Sequence, residues 1–76
     1  MKPLIQFLVE ELVDFPDAVE VGETVGEDAT TYEIKVSQPD LGKVIGKQGR
    51  IANAIRSVVR AIANKQGRRV FVEISA

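Results

Sequence analysis

Apolar and polar residues alternate along the chain with two different periods. A helical spacing near the N-terminus predicts an amphipathic helix over about residues 3–14. Its apolar positions are Leu4, Ile5, Leu8, Val9 and Leu12. A two-residue alternation then predicts strands over residues 18–25 and 30–36, the second more clearly than the first. The turn-forming residues 26–28 lie between them, so we expect the two strands to form a hairpin.

The second half of the chain begins with a helix start. Ser37 supplies a capping hydroxyl and Pro39 suits a first turn, so the sequence predicts a short helix over residues 39–45. Residues 46–49 interrupt it, and a second helix follows to about Asn64. Residues 69–75 alternate again and predict a third strand. The resulting order is α-β-β-α-α-β, an α+β fold in which three helices cover one face of a three-stranded sheet.

The length and composition narrow the possible functions. The chain has 76 residues, which suit a single domain over residues 1–76, and we expect it to be complete. It has no cysteine and no histidine, which excludes a disulfide framework, a Cys/His zinc site, a thiol nucleophile and a His-based triad. We therefore expect neither an enzyme nor a bound metal or cofactor. The absence of cysteine fits a reducing compartment, so we expect a cytoplasmic protein. The longest apolar stretch is interrupted by Gln6 and Glu10, so we expect no membrane span.

Charge is distributed unevenly along the chain. The formal net charge is only −1, but residues 1–33 carry one basic and nine acidic residues, a net charge of −8. Residues 34–76 carry nine basic and two acidic residues, a net charge of +7. The two halves could neutralise each other within the fold. Alternatively, the basic half faces a polyanion such as a nucleic acid.

The four residues 46–49, Gly-Lys-Gln-Gly, carry the candidate chemistry. Gly46 could end the first helix with a positive φ, and Gly49 would let a ligand approach the backbone closely. The following helix then starts with its positive dipole end at this turn, and Lys47 and Arg50 add charge, which favours phosphate as a ligand. Neither a P-loop nor a dinucleotide fingerprint fits the glycine spacing. A turn that uses glycine for geometry alone remains the other interpretation.

These residues resemble the signature of the KH domain, a nucleic-acid-binding fold with a G-x-x-G loop between two helices. The matching run is Val44-Ile45-Gly46-Lys47-Gln48-Gly49-Arg50. The longer stretch over residues 41–60 resembles the small bacterial single-KH-domain RNA-binding proteins. The element order is that of the type II KH fold. One departure is Ala52, where many KH domains have a large aliphatic residue; the larger Ile51 precedes it here.

The resemblance implies that the loop holds the backbone of about four nucleotides of single-stranded RNA. Phosphates would contact the loop, flanking cations would add charge, and an apolar groove would take the bases. The implied RNA-binding residues are Lys43, Ile45, Gly46, Lys47, Gln48, Gly49, Arg50, Asn53, Arg56 and Arg69. Val44 could line the groove in place of Ile45, and Arg68 could stand beside Arg69 at the groove entrance. Arg60 is either part of this surface or solvated.

A single module of this kind is expected to bind weakly, since the basic segment contains no aromatic residue for stacking. Phe71 is the one aromatic side chain that the alternation places on the open face of the sheet. The resemblance implies a homodimer, or a heterodimer with a larger KH-containing protein, and a role as an RNA chaperone or post-transcriptional regulator. The alternatives are a protein-interaction subunit that no longer binds RNA and a binder of single-stranded DNA.

Overall fold

A computed structural model gives the arrangement of the chain. It describes residues 1–76, with the side chain of Lys47 outside the described part. The elements are α1 (Lys2–Leu12), a 3-10 turn (Pro16–Ala18), β1 (Glu20–Val25), β2 (Ala29–Lys35), α2 (Gln38–Lys65) and β3 (Arg69–Ser75). The three predicted strands and the first helix are present, and the single helix α2 covers both of the helices predicted for the second half. The first helix ends two residues earlier than the apolar pattern indicates, and the third strand has the predicted bounds.

The three strands form one mixed sheet in the order β1-β2-β3. β1 and β2 run antiparallel, with Glu20 opposite Lys35, which confirms the predicted hairpin. β2 and β3 run parallel, with Ala29 opposite Arg69. Parallel neighbours need a long crossover connection, and α2 provides it. The order of the strands in the sheet therefore follows their order in the chain.

Both helices pack on the same face of the sheet. Tyr32 and Ile34 of β2 point into this face and are buried, whereas their neighbours Glu33 and Lys35 are exposed on the other side. The core between the helices and the sheet is aliphatic and includes Ile5, Val9, Val44, Ile55 and Val59. We call the uncovered side the open face. Its residues include Glu20, Thr24, Glu33, Lys35, Arg69, Phe71 and Glu73.

The helix α2 changes direction at two consecutive residues. Gln48 has a φ of 64° and Gly49 a φ of 71°, both in the left-handed region. They divide α2 into a first arm (residues 38–46) and a second arm (residues 50–65). The chain thus has the predicted order α-β-β-α-α-β, consistent with the type II KH fold. Gly46 does not take the positive φ that we expected of it, because the next residues make the turn and Gly46 remains helical.

A buried carboxylate fixes the N-terminal end of α2. Asp40 is only 1% exposed. Its Oδ1 accepts a hydrogen bond from the backbone N–H of Asp14 (3.0 Å), and its Oδ2 accepts from the backbone N–H of Phe15 (2.9 Å) and the hydroxyl of Ser37 (2.9 Å). The Ser37 hydroxyl also caps α2 by accepting from the backbone N–H of Asp40 (3.2 Å). The end of α1 and the start of α2 are therefore joined through one side chain.

These contacts keep Asp40 ionised in the folded protein. Burial alone raises the pKa of this carboxyl group. The hydrogen bonds from the Asp14 and Phe15 backbone and from the Ser37 hydroxyl, together with the charge of Lys43, outweigh that effect and lower the pKa below its ordinary value of 3.8. A carboxyl group whose pKa is lower in the folded than in the unfolded chain stabilises the fold above the unfolded pKa. That contribution is lost as the pH falls through the folded pKa.

We predict that Asp40→Asn lowers the urea midpoint of unfolding at pH 7. The side-chain amide would direct its own N–H groups at a backbone N–H donor, so at least one buried donor loses its acceptor. The difference between the natural chain and the variant is expected to shrink as the pH falls below about 4, because the carboxyl group is then protonated in the unfolded chain while it is still ionised in the folded one. Urea titrations across a pH series measure both effects.

The matched control is Asp17→Asn, which removes the same charge from an exposed position in the 3-10 turn. It should leave the urea midpoint nearly unchanged at pH 7. Equal losses of stability in the two variants would contradict the role assigned to the Asp40 hydrogen bonds and would indicate an effect of net charge.

Candidate nucleic-acid interface

The segment 46–49 lies at the turn between the two arms of α2. A methyl group added at Gly46 would meet no atom within 4 Å, so the surface above this residue is open. At Gly49 an added methyl group would lie 3.8 Å from Asn53 Nδ2, which is an ordinary van der Waals contact. The φ of +71° would nevertheless strain any residue with a side chain at this position. Gln48 and Arg50 are exposed on either side. The predicted contact residue Lys47 lies outside the described residues.

The two aliphatic residues before the turn have separate roles. Val44 is fully buried and belongs to the core, whereas Ile45 is 53% exposed. Consecutive residues of a helix point about 100° apart, so only one of the two can face the sheet. The sequence left open which of them is available to a ligand. The structure assigns the core position to Val44 and leaves Ile45 as an exposed apolar surface next to Gly46.

A row of polar side chains runs from the turn along the second arm. Its members are spaced by three or four residues and therefore share one side of the helix. We call them the polar stripe: Asn53, Arg56, Arg60 and Asn64. Arg56 is half-buried and the other three are exposed. Because Asn53 lies close to Gly49, the stripe begins at the turn.

The stripe ends in a shallow cleft beside the start of β3. The cleft has a volume of about 280 Å³, and we call it the basic cleft; it is lined by Arg60, Asn64, Arg68, Arg69, Val70 and Phe71. The guanidinium of Arg68 is held there by donating from Nη2 to Thr30 Oγ1 at 3.0 Å. At 1.5 Å per residue, the cleft residues of α2 lie about 17–22 Å along the helix from Gly49. Arg69 is therefore not beside the turn, and the polar stripe connects the two places.

Lys43 has a partner that the sequence did not indicate. Its ammonium group lies 3.1 Å from Asp14 Oδ1 and forms an ion pair with it. The two residues are 29 positions apart in the chain, and the hydrogen bond from the Asp14 backbone to Asp40 holds the Asp14 segment beside α2. Asn64 and Val70 line the basic cleft, although we had predicted neither as a binding residue. The spacing of four residues between Arg60 and Asn64 is the signal that could have indicated Asn64.

Two other kinds of site are absent from the part of the chain that the structure describes. It contains no group of three or more Asp or Glu side chains placed to hold a metal ion. Among the described helices, none is both long and apolar enough to cross a membrane. The features that remain are a glycine-containing turn, an exposed isoleucine, a polar stripe and a basic cleft.

Comparison with known proteins identifies the family. Residues 2–74 match the family described as KhpA/KhpB, KH domain. The chain is 54% identical over 74 residues to the RNA-binding protein KhpA of Clostridium acetobutylicum, an alignment that covers 97% of this chain and 99% of the relative. It is 47% identical over 74 residues to the RNA-binding protein KhpA of Aquifex aeolicus, covering 97% and 94% of the two chains. No solved structure matches the chain significantly.

These matches cover nearly the whole chain, and the relatives are bacterial. They confirm the KH domain that residues 44–50 predict. The prediction of a protein without enzymatic activity is also confirmed, because this is a non-enzymatic family. The chain belongs to the KhpA/KhpB family of KH domains.

Proposed function

We propose that this protein binds single-stranded RNA along the second arm of α2. The backbone of the RNA is held at the turn 46–49, and the strand continues over the polar stripe toward the basic cleft. The observation that carries the proposal is the continuity of these three features on one side of one helix. Relatives named as RNA-binding proteins support it.

The turn suits a phosphate group for three reasons. The second arm begins directly after Gly49, so the positive end of its dipole lies at the turn. The open surface over Gly46 lets an anion approach the backbone without a side chain in the way. The sequence adds positive charge from Lys47 and Arg50. Lys43 contributes less, because Asp14 already neutralises it.

The bases have an apolar contact but little stacking. Ile45 is exposed beside the turn, where it supports a base whose phosphate is held at residues 46–49. Asn53 and Arg56 follow on the same side and can contact phosphate or a base edge. Phe71 lines the basic cleft and is 53% exposed, so stacking is available only at the far end of the path. We therefore expect weak binding with low sequence specificity.

The proposed cellular role follows from weak, backbone-directed binding. Such a protein contacts many RNAs briefly, which suits an RNA chaperone or a post-transcriptional regulator in the cytoplasm. A weak single domain also gains affinity when two domains act on one strand. A second copy of the chain, or a larger KH-containing protein, would supply the second domain.

We predict that the double variant Lys47→Asp and Gln48→Asp loses binding to short single-stranded RNA while remaining folded. Both glycines are retained, and the new carboxylates lie where the phosphates would bind. For the natural chain we expect the affinity to fall with salt at a log–log slope of about −2, as for about three neutralised phosphates on a single strand. Fluorescence anisotropy across a salt series measures both quantities.

The matched control is Lys2→Asp with Gln38→Asp, which changes the net charge equally at two exposed positions near helix starts. It should bind RNA nearly as the natural chain does. If both double variants lose binding alike, net charge and not the turn explains the affinity. If the loop variant binds as well as the natural chain, the turn is structural. A parallel series with single-stranded DNA of the same sequence tests the choice of RNA.

A second prediction for the turn distinguishes an effect on RNA affinity from an effect on the stability of the fold. Gly46→Ala places a methyl group on the open surface of a helical residue, so it should stabilise the fold by about 1 kcal/mol or less. The same methyl group lies where the RNA backbone approaches, so we expect the affinity to fall about tenfold. Urea unfolding and RNA titration of one preparation give both values.

Gly42→Ala is the control for this substitution. Gly42 lies one helical turn earlier in the first arm, and a methyl group there also meets nothing within 4 Å. It should stabilise the fold to a similar degree without weakening RNA binding. Equal RNA affinities for the two alanine variants would argue against close approach of RNA at Gly46.

A further inference from the structure

The basic cleft holds more positive charge than one phosphate inside an RNA strand would neutralise. Arg60 reaches the cleft from α2, and Arg68 and Arg69 reach it from the chain at the start of β3. All three are exposed, and among the described side chains no carboxylate forms an ion pair with them. A phosphate inside a strand carries a single negative charge, whereas a terminal phosphate monoester carries about −1.5 to −2 at pH 7. The charge of the cleft therefore matches the end of a strand better than its interior.

The size and lining of the cleft fit one nucleotide. Its volume of about 280 Å³ lies at the small end of ligand sites, which measure about 300–1,000 Å³. Phe71 lines it and is 53% exposed, so its ring can stack on a base. Arg68 is fixed by one hydrogen bond to Thr30, which leaves its other N–H donors for a phosphate. One base and one phosphate would occupy the cleft.

Acidic residues lie where a strand would leave the cleft around the end of the sheet. Ala29 of β2 pairs with Arg69, and the backbone N–H of Gly26 donates to the carbonyl of Ala29 at 2.8 Å. The tight turn closed by this bond carries Glu27 and Asp28, both exposed. Their carboxylates would repel a phosphate that followed the one in the cleft.

The open face is acidic beside the cleft as well. Glu73 follows Phe71 by two residues on the same face and lies directly opposite Glu33 of β2, and both carboxylates are exposed. A strand that left the cleft over this face would meet two like charges. By contrast, residues 50–65 of α2 contain no acidic residue. The polar stripe is therefore the favourable approach to the cleft, and the path of the RNA ends there.

We propose that the basic cleft binds the terminal nucleotide of an RNA strand through its phosphate monoester. Arg60 and Arg69 hold the phosphate, and Phe71 stacks on the base. This inference rests on the proposed function, because the interior of the same strand is held at the turn 46–49. It narrows the ligand from any single-stranded RNA to strands that end in a phosphate.

The distance between the two places sets the length of RNA that can use both. The cleft residues of α2 lie about 17–22 Å from Gly49 along the helix. A stacked strand advances about 3.4 Å per nucleotide, so about five to seven nucleotides separate the phosphate at the turn from the terminal one. A shorter strand can occupy the turn or the cleft, but not both.

The positive charge of the cleft comes from side chains alone. The helix α2 ends at Lys65, so the negative end of its dipole lies near the cleft and attracts the arginines. At the turn, in contrast, the dipole itself favours an anion. Substitution of the arginines therefore removes the phosphate contacts of the cleft and leaves those of the turn in place.

The first experiment compares RNA strands of one sequence and about ten nucleotides that differ only at their ends. One strand has hydroxyl groups at both ends, one has a 5′-phosphate and one has a 3′-phosphate. Each competes, unlabelled, with a labelled hydroxyl-ended strand for the full chain. Because the turn fixes the direction of the strand, only one end reaches the cleft. We expect that one phosphorylated strand binds about tenfold more tightly than the hydroxyl-ended strand and that the other binds equally.

The double variant Arg60→Gln with Arg69→Gln locates this preference. It should weaken the binding of every strand and reduce the ratio between the phosphorylated and hydroxyl-ended strands to about one. The matched control is Arg50→Gln with Arg56→Gln, which removes two guanidinium groups outside the cleft. It should also weaken every strand but retain the ratio. Circular dichroism of both variants checks that the fold is intact.

The outcomes separate this inference from the function on which it rests. Equal binding of all three strands by the natural chain overturns the inference and leaves RNA binding at the turn standing. A preference that survives in the Arg60 and Arg69 double variant also overturns it, because the phosphate is then bound elsewhere. Failure to bind any strand overturns both the inference and the proposed function.

Two further arms test whether the cleft takes the end of a strand or a free nucleotide. Adenosine monophosphate at about 0.1 mM should leave the preference unchanged, because a strand held at the turn presents its own end at an effective concentration of about millimolar order. If the free nucleotide abolishes the preference, the cleft is a site for free nucleotides and the proposal fails. Strands of about four nucleotides should show no preference for a terminal phosphate, and a ratio as large as that of the longer strands would overturn the proposal.

Discussion

The length of α2 constrains the arrangement of this fold. A straight helix of 28 residues would be about 42 Å long, whereas the longest dimension of the molecule is 34 Å. Both arms of α2 nevertheless pack on the same sheet, with Val44 from the first and Ile55 from the second in one core. The left-handed backbone at Gln48 and Gly49 makes this possible. The turn proposed to hold phosphate is thus also the turn that lets the helix fit the sheet.

A turn of this kind is useful only if the helix before it is held in place. Asp40 provides that support, because one buried carboxylate accepts hydrogen bonds from the end of α1 and from Ser37 at the start of α2. The first arm has fewer than two helical turns between Asp40 and Gly46. The position of the turn relative to the sheet is therefore set by a short, rigid segment.

The sequence predicted most of the fold and part of the site. Alternation and helical spacing depend on neighbouring residues, so they indicated the strands, the hairpin and the helices correctly. Contacts between distant residues leave no such pattern, and neither the Asp40 hydrogen bonds nor the Lys43–Asp14 ion pair was foreseen. The exact turn geometry was also missed, because Gln48 shares the left-handed region with Gly49 while Gly46 stays helical. The sequence did not decide which of Val44 and Ile45 is buried, because this depends on how the helix is rotated relative to the sheet.

Because of the strand order, the acidic and basic halves of the sequence supply different elements of the folded domain. Because the sheet order is β1-β2-β3, the acidic first half of the chain supplies α1 and the β1 side, and the basic second half supplies α2 and β3. The acidic and basic halves meet where the ion pair of Lys43 with Asp14 joins the end of α1 to the first arm of α2. In the proposal above, a polyanion would be repelled by the acidic half and attracted to the basic half, which would steer it toward the polar stripe before any specific contact forms.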